Sequence, residues 1–311
     1  AAKAVYEGQE SDISVGAYRD HTPGFERDFV YRGLTFYTNE LYLRGKDGAL
    51  LKLDLPDGAQ KGAFREWLSV ELRQPWTVGG RDYIAGSLLA IRLDAFLSGA
   101  RNFDVLFEPA QNTSLASSAV TKDHVILNVL EDVKNRLYVL TPGNNGWTRT
   151  PLVGAPAFGT VGISAVDAEE SNDYFMTVTD YLTPTSLLLG TVGTVPEKLK
   201  QLPGFFDASQ HEISQQIATS KDGTRVPYFM VSKKNMLRNG KNPTLLYGYG
   251  GFEVSLTPNY SAGVGRSWLS QGGVYVVANI RGGGEYGPRW HQAALKADRN
   301  KAYEDFAAVA E

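Results

Sequence analysis

Two glycine loops carry the residues whose types and spacing could do chemistry. In the first, Tyr247-Gly248-Tyr249-Gly250-Gly251-Phe252, three glycines surround a tyrosine at the end of an apolar run. Without a Cβ, glycine lets backbone N–H groups and a phenolic hydroxyl come close to a substrate oxygen. Tyr249 is therefore a candidate oxyanion donor for acyl transfer; the alternative is a tight turn around a buried tyrosine. In the second loop Gly282, Gly284 and Gly287 fit G-x-G-x-x-G after an apolar run, and Glu304 and Asp305 follow about 20 residues on, where a dinucleotide site places its ribose-binding acid. Pro288 follows the last glycine, and residues 291–297 stand between the motif and the next clear helix. A pyrophosphate site needs a helix that opens within the motif, which weighs against a dinucleotide.

Other catalytic constellations are missing. Gly265-Arg266-Ser267-Trp268-Leu269 and Gly162-Ile163-Ser164-Ala165-Val166 both lack the closing glycine of G-x-S-x-G. His211-Glu212 has no second histidine at H-E-x-x-H spacing. His21, His124, His211 and His291 are scattered, and an isolated histidine is more often a structural hydrogen-bonding group than a base. Asp167 and Glu169-Glu170 read as a solvated loop. Asn112-Thr113-Ser114 and Asn259-Tyr260-Ser261 match the glycosylation sequon, a pattern that recurs by chance. No metal site and no cofactor are expected.

The elements that must position these loops change character along the chain. Up to about Pro203, β-branched and aromatic runs alternate with turn formers, an all-β signature. Runs at 34–39, 40–44, 49–54, 87–94, 104–107, 124–130, 136–140, 162–167, 173–180 and 186–189 read as strands, with Asp47-Gly48 and Asp57-Gly58 as φ > 0 turns. Sandwich, barrel and propeller all fit this rhythm; the likeness of 49–54 to 88–94 favours a propeller. From Pro203-Gly204 the pattern shifts. Residues 213–218 and 225–231 read as a hairpin about Asp222-Gly223, and 244–247 and 274–280 as unalternating strands of a sheet buried on both faces. Residues 300–311 read as a helix with Tyr303, Phe306, Ala307 and Ala310 on its apolar stripe. Strand, glycine loop, strand, glycine loop and helix make an α/β opening.

Composition narrows the function classes. The 311 residues include 31 Lys+Arg against 34 Asp+Glu, a net charge of −3 that leaves no basic footprint for nucleic acid. There is no cysteine, which excludes a thiol nucleophile, a disulfide scaffold and a Cys-ligated metal. No apolar run is long enough to span a membrane. The first residues, 1–6, show neither a signal-peptide nor a transit-peptide pattern, and the compartment expected is cytoplasmic or periplasmic.

The strings Leu245-Leu246-Tyr247-Gly248-Tyr249-Gly250-Gly251-Phe252, Thr257-Pro258-Asn259-Tyr260, Ala278-Asn279-Ile280-Arg281-Gly282-Gly283-Gly284-Glu285-Tyr286-Gly287 and Trp290-His291 closely resemble the prolyl oligopeptidase family, as does Ser220-Lys221-Asp222-Gly223-Thr224-Arg225-Val226-Pro227 upstream. Oligopeptidase B shares a related glycine loop but lacks the Gly-Gly-Phe and Pro-Asn-Tyr strings, so the resemblance favours the proline-specific branch. It implies a β-propeller capping an α/β-hydrolase domain that cleaves short peptides on the carboxyl side of proline with a Ser-Asp-His triad. It also implies that Tyr249 donates its hydroxyl to the oxyanion and that Phe252 lines the proline pocket. The second glycine loop is then a structural signature, and His291 is not the triad histidine. Residues 1–204 resemble the later blades of a seven-bladed propeller; 205–311 resemble the first part of the hydrolase domain, truncated before the nucleophile. The resemblance places the triad beyond residue 311. This piece alone is therefore expected to be inactive, needing the remainder of its own chain to complete both domains. The rival expectation is a non-catalytic propeller binding module with a degenerate hydrolase domain.

Overall fold

The alternating runs form strands in the computed structural model, which describes residues 4–144 and 146–311; residues 1–3 of the amino-terminal pattern lie outside the described residues. Two compact units result, Ala1–Pro109 and Ala110–Glu311. In the first, β1 (Ser14–Asp20), β2 (Arg27–Thr35), β3 (Thr38–Arg44) and β4 (Leu50–Lys52) form an antiparallel sheet in that order. A second sheet starts with β5 (Gln60–Phe64) and β6 (Trp67–Glu71). The hairpin of β7 (Trp76–Val78) and β8 (Arg81–Tyr83) follows, then β9 (Leu88–Arg92), α1 (Leu93–Leu97) and β10 (Asp104–Phe107). Its order is β5-β6-β9-β10. Alternation puts Leu68 and Val70 of β6 inward against Phe29, Leu41, Leu89 and Ile91.

The second unit opens with two more such sheets. One holds β11 (Thr113–Val120), β12 (Val125–Glu131), β13 (Lys134–Gly143) and β14 (Gly146–Pro151); the other holds β15 (Thr160–Ala165), β16 (Asp173–Thr179), β17 (Ser186–Thr191) and β18 (Glu197–Gln201). Ile126, Leu137, Val139, Val161, Tyr174 and Met176 pack together between them. All four sheets have the up-and-down order of a propeller blade.

The architecture changes after Gln201. β19 (His211–Thr219) and β20 (Arg225–Lys233) form the expected hairpin, turned by Gly223 at φ +85. β21 (Thr244–Gly248), α2 (Ala262–Ser267) and β22 (Val274–Ala278) follow, and the sheet order is β19-β20-β22-β21, with β21 and β22 parallel. α3 (Pro288–Gln292) and α4 (Asn300–Ala310) close the unit. The change of sheet type, between Gln201 and His211, thus lies inside the second compact unit. Among the described residues, no helix is long and apolar enough to cross a membrane.

Several expectations are corrected. Residues 34–39 are not one strand: Phe36 and Tyr37 form the turn between β2 and β3, and Phe36 is exposed. The 87–94 run ends as a strand at Arg92 and continues as α1. The resemblance of 49–54 to 88–94 marks no equivalence, because β4 is an outer strand and β9 an inner one. Gly48 takes a positive φ as expected, whereas 56–58 crosses between sheets without one at Gly58. β22 is buried, but Leu245 and Tyr247 of β21 are exposed, because the sheet face they share is uncovered, whereas Leu246 on the other face packs in the cluster that includes Ala278 and Phe306. In α4 the inward stripe is Ala302 and Asp305, buried, with Phe306 and Val309 partly buried; of the expected stripe only Phe306 lies on it, and Tyr303, Ala307 and Ala310 are exposed. Asp305 was invisible to an apolar count because its burial depends on a distant cation.

Candidate active site

Parallel pairing sets Gly248 beside Ala278, so β21 and β22 release both glycine loops from the same, carboxyl end of the sheet, the end where open α/β sheets bind ligands. The first loop is contorted. Gly250, Phe252 and Glu253 have φ of +58, +52 and +60. A left-handed conformation costs a non-glycine residue about 1–2 kcal/mol, so two in succession require support from outside the loop. The second loop supplies it. Glu253 N–H donates to Gly282 O at 3.3 Å, and a Cβ on Gly282 would strike Gly250 O while one on Gly284 would strike Glu253 O. Glycine at 282 and 284 is therefore required by the approach of the neighbouring loop. Arg299 donates a further hydrogen bond to Gly250 O.

Tyr249 is 42% exposed and Phe252 62% exposed. Both stand at the open apex, so the alternative of a turn around a buried tyrosine is excluded. Among the described residues, none hydrogen-bonds the Tyr249 hydroxyl. His291 is buried with Nδ1 2.7 Å from Gly282 O. A proton on Nδ1 donated to that carbonyl leaves Glu253 N–H to Gly282 O, which accounts for both groups. His291 is thus a structural bracket between the loops.

The dinucleotide reading fails on packing. Pro288 opens a helix directly at the last glycine, contrary to the expectation of a gap there, since proline suits the first helical turn. The space beside Gly283 and Gly284 is instead filled by Val254 O, Glu253 O, Ser255 Oγ and the Glu285 carboxylate, leaving no cradle for a phosphate. Asp305, the acid at the ribose position, is wholly buried and committed to Arg281, with Nη2 to Oδ1 at 2.6 Å and Nε to Oδ2 at 2.9 Å. Arg281 also binds Asp222 of the β19–β20 turn, Nη1 to Oδ2 at 2.6 Å. That hydrogen-bonded guanidinium holds the Asp222 carboxyl well below the usual carboxylate range. The sequence marked Asp222 only as a turn residue; its spacing from Arg281 carries no local signal.

Below the loops, Glu285 is buried, its Oε1 accepting from Leu256 N–H at 2.9 Å and Asn279 Nδ2 at 3.2 Å. Burial pushes its carboxyl up to about 7. A separate cavity of 830 Å³ is lined by Asp132, Arg225, Arg281, Tyr286, Arg289 and Trp290 among others, and Tyr249 and Phe252 are not in its wall. Among the described residues, no three His, Cys, Asp or Glu side chains are grouped as a metal site would need.

Residues 260–311 match the family model described as the prolyl oligopeptidase family. An uncharacterized peptidase of Sinorhizobium fredii is 38% identical over 324 residues, covering 100% of this chain and 44% of that protein. A prolyl endopeptidase of Elizabethkingia miricola is 38% identical over 157 residues, 50% of this chain and 22% of that one. Among solved structures, a post-proline cleaving enzyme from Rickettsia typhi superposes with a TM-score of 0.87 at 32% identity, over 98% of this chain and 45% of that one. The chain spans less than half the length of each of these relatives.

Proposed function

The chain belongs to the prolyl oligopeptidase family, and from that premise we propose that it forms part of a serine peptidase that cleaves short peptides after proline. The observation that carries the proposal is the exposed Tyr249 side chain, presented on a glycine loop at the carboxyl end of parallel strands and braced by a second loop. In this reading Tyr249 donates to the oxyanion of the tetrahedral intermediate and Phe252 packs on the substrate proline. Residues 1–204 supply later blades of a seven-bladed propeller that restricts entry to short peptides, and 205–311 begin the hydrolase domain.

The nucleophile, acid and base of the triad lie outside residues 1–311 in this reading. Loss of a whole triad lowers the rate on the order of 10⁶-fold in a comparable serine protease, so these residues alone do not hydrolyse peptides. The one-sided pairing of β21, with Leu245 and Tyr247 exposed, supports further strands of the same polypeptide completing the sheet there.

The test is Tyr249→Phe in the full-length gene product. One oxyanion donor is worth about 3–4 kcal/mol, so kcat falls on the order of 10²–10³-fold with little change in KM. Unchanged turnover removes Tyr249 from the reaction. The absence of G-x-S-x-G within these residues favours a second reading, a propeller binding module with a degenerate hydrolase domain. Fluorophosphonate labelling separates the two: a peptidase is labelled and a binding module is not.

A further inference from the structure

Glu285 is an unusual residue to bury. It is 1% exposed, forms no ion pair among the described residues, and its Oε2 has no hydrogen-bond partner among them. An unpaired buried carboxyl is costly, so its retained bonds indicate its task. Both lead to one residue, Leu256. Glu285 Oε1 holds the N–H of Leu256, and Asn279 Nδ2 holds both the C=O of Leu256, at 2.7 Å, and Glu285 Oε1. Leu256 is thereby gripped on its two backbone polar groups by two side chains that are bonded to each other.

The position of this grip explains its use. Leu256 lies at the stem of the first glycine loop, three residues past the left-handed pair Phe252 and Glu253. The apex bearing Tyr249 is exposed and stores backbone strain, and strained segments persist only where their surroundings over-determine them. Gly283 and Gly284 bring the second loop close enough to restrain the middle of the first, and Ser114 Oγ, donating to Glu285 O at 2.9 Å, fixes the second loop in turn. The Leu256 grip supplies the remaining anchor.

We propose that Glu285, acting with Asn279 through Leu256, is a positioning residue that sets the Tyr249–Phe252 loop in its productive conformation. The catalytic consequence rests on the peptidase reading above; the structural consequence does not. Glu285→Gln keeps the accepting oxygen and removes the charge, whereas Glu285→Ala removes the grip.

The experiment is made on the full-length gene product. Hydrogen exchange is followed in the 249–256 segment, and hydrolysis of a chromogenic acyl-Gly-Pro peptide is measured in parallel. Glu285→Ala is expected to speed exchange in 249–256 at least about tenfold and to lower kcat by on the order of 10²-fold, the usual effect of misplacing a reacting group by about 1 Å. KM should change less, and Glu285→Gln should restore wild-type exchange and turnover. If Glu285→Ala does not fold, Asn279→Ala makes the same test by releasing Leu256 O. Wild-type exchange in whichever of these variants folds overturns the proposal, as does a Gln variant as impaired as Ala. An inactive wild type with accelerated exchange in the Ala variant sinks the peptidase reading and leaves the positioning role standing.

Discussion

Arg281 and Asp305 meet inside the second unit through three hydrogen bonds between side chains and a fourth from Arg281 N–H to Oδ2 at 2.9 Å. The pair joins the end of β22 to α4, and the same guanidinium reaches Asp222 on the β19–β20 turn. One cation thus ties three elements beneath the second glycine loop. Its carboxylate partners hold the guanidinium firmly in its charged form.

Removing one partner of a fully buried ion pair strands the other charge. Asp305→Ala should destabilise the second unit by about 3–5 kcal/mol, while Asp222→Ala, at a partly exposed carboxylate, should cost about 1 kcal/mol or less. Denaturant unfolding measures both, and equal effects would refute the ranking.

Glu285 predicts a pH dependence. Its folded carboxyl is pushed up to about 7 from an ordinary 4.5, so the folded state holds this proton more tightly than the unfolded chain. Stability therefore falls as pH rises from about 4.5 through about 7 and levels off above, a loss of about 3 kcal/mol from this group by proton linkage. Tyr181 and Tyr286, which face it, are raised by burial above the usual tyrosine range and stay neutral throughout that window. Melting curves of wild type and Glu285→Gln between pH 5 and 8 check this, as a slope in the wild type that the Gln variant lacks.

Between β12 and β13, Asp132 and Val133 form a two-residue turn with φ of +46 and +63, and Val133 is buried against Phe229 and Val231 of the α/β part. A β-branched residue is strained in that conformation, so the side chain is held there by its burial, worth about 2 kcal/mol. Val133→Ala loses most of the burial and keeps the strain. Val133→Gly loses the burial but relieves the strain, so Gly should be no less stable than Ala, the reverse of the usual order. Chemical denaturation of the two variants decides it.

At Gly282, φ is +96 and a Cβ would meet Gly250 O. In the full-length gene product, on the peptidase reading, Gly282→Ala should push the two glycine loops apart and lower kcat/KM by on the order of 10²-fold, with global stability less affected than in Asp305→Ala. Full activity would separate the second loop from the site.

Much of the architecture was legible locally. The β19–β20 hairpin follows from two alternating runs about Asp222-Gly223, and β22 from an unbroken apolar run. The strings around Tyr249 and Arg281 point to the family by themselves. Other features had no local signal. A valine in a left-handed turn contradicts every turn preference and is explained only by the pocket it fills. Asp305 spoiled the apolar stripe of α4 until Arg281, 24 positions away, neutralised it.

The sequence by itself determined the strand periods, the glycine positions and the absence of thiol chemistry, because these depend on neighbouring residues and composition. Only the tertiary structure decided that Tyr249 is exposed, that the second glycine loop braces the first instead of cradling a phosphate, and that Glu285 and Asn279 grip Leu256. Those outcomes depend on which distant groups share a buried volume, where an unpaired charge or a misplaced Cβ costs several kcal/mol, about as much as the loop conformation it supports.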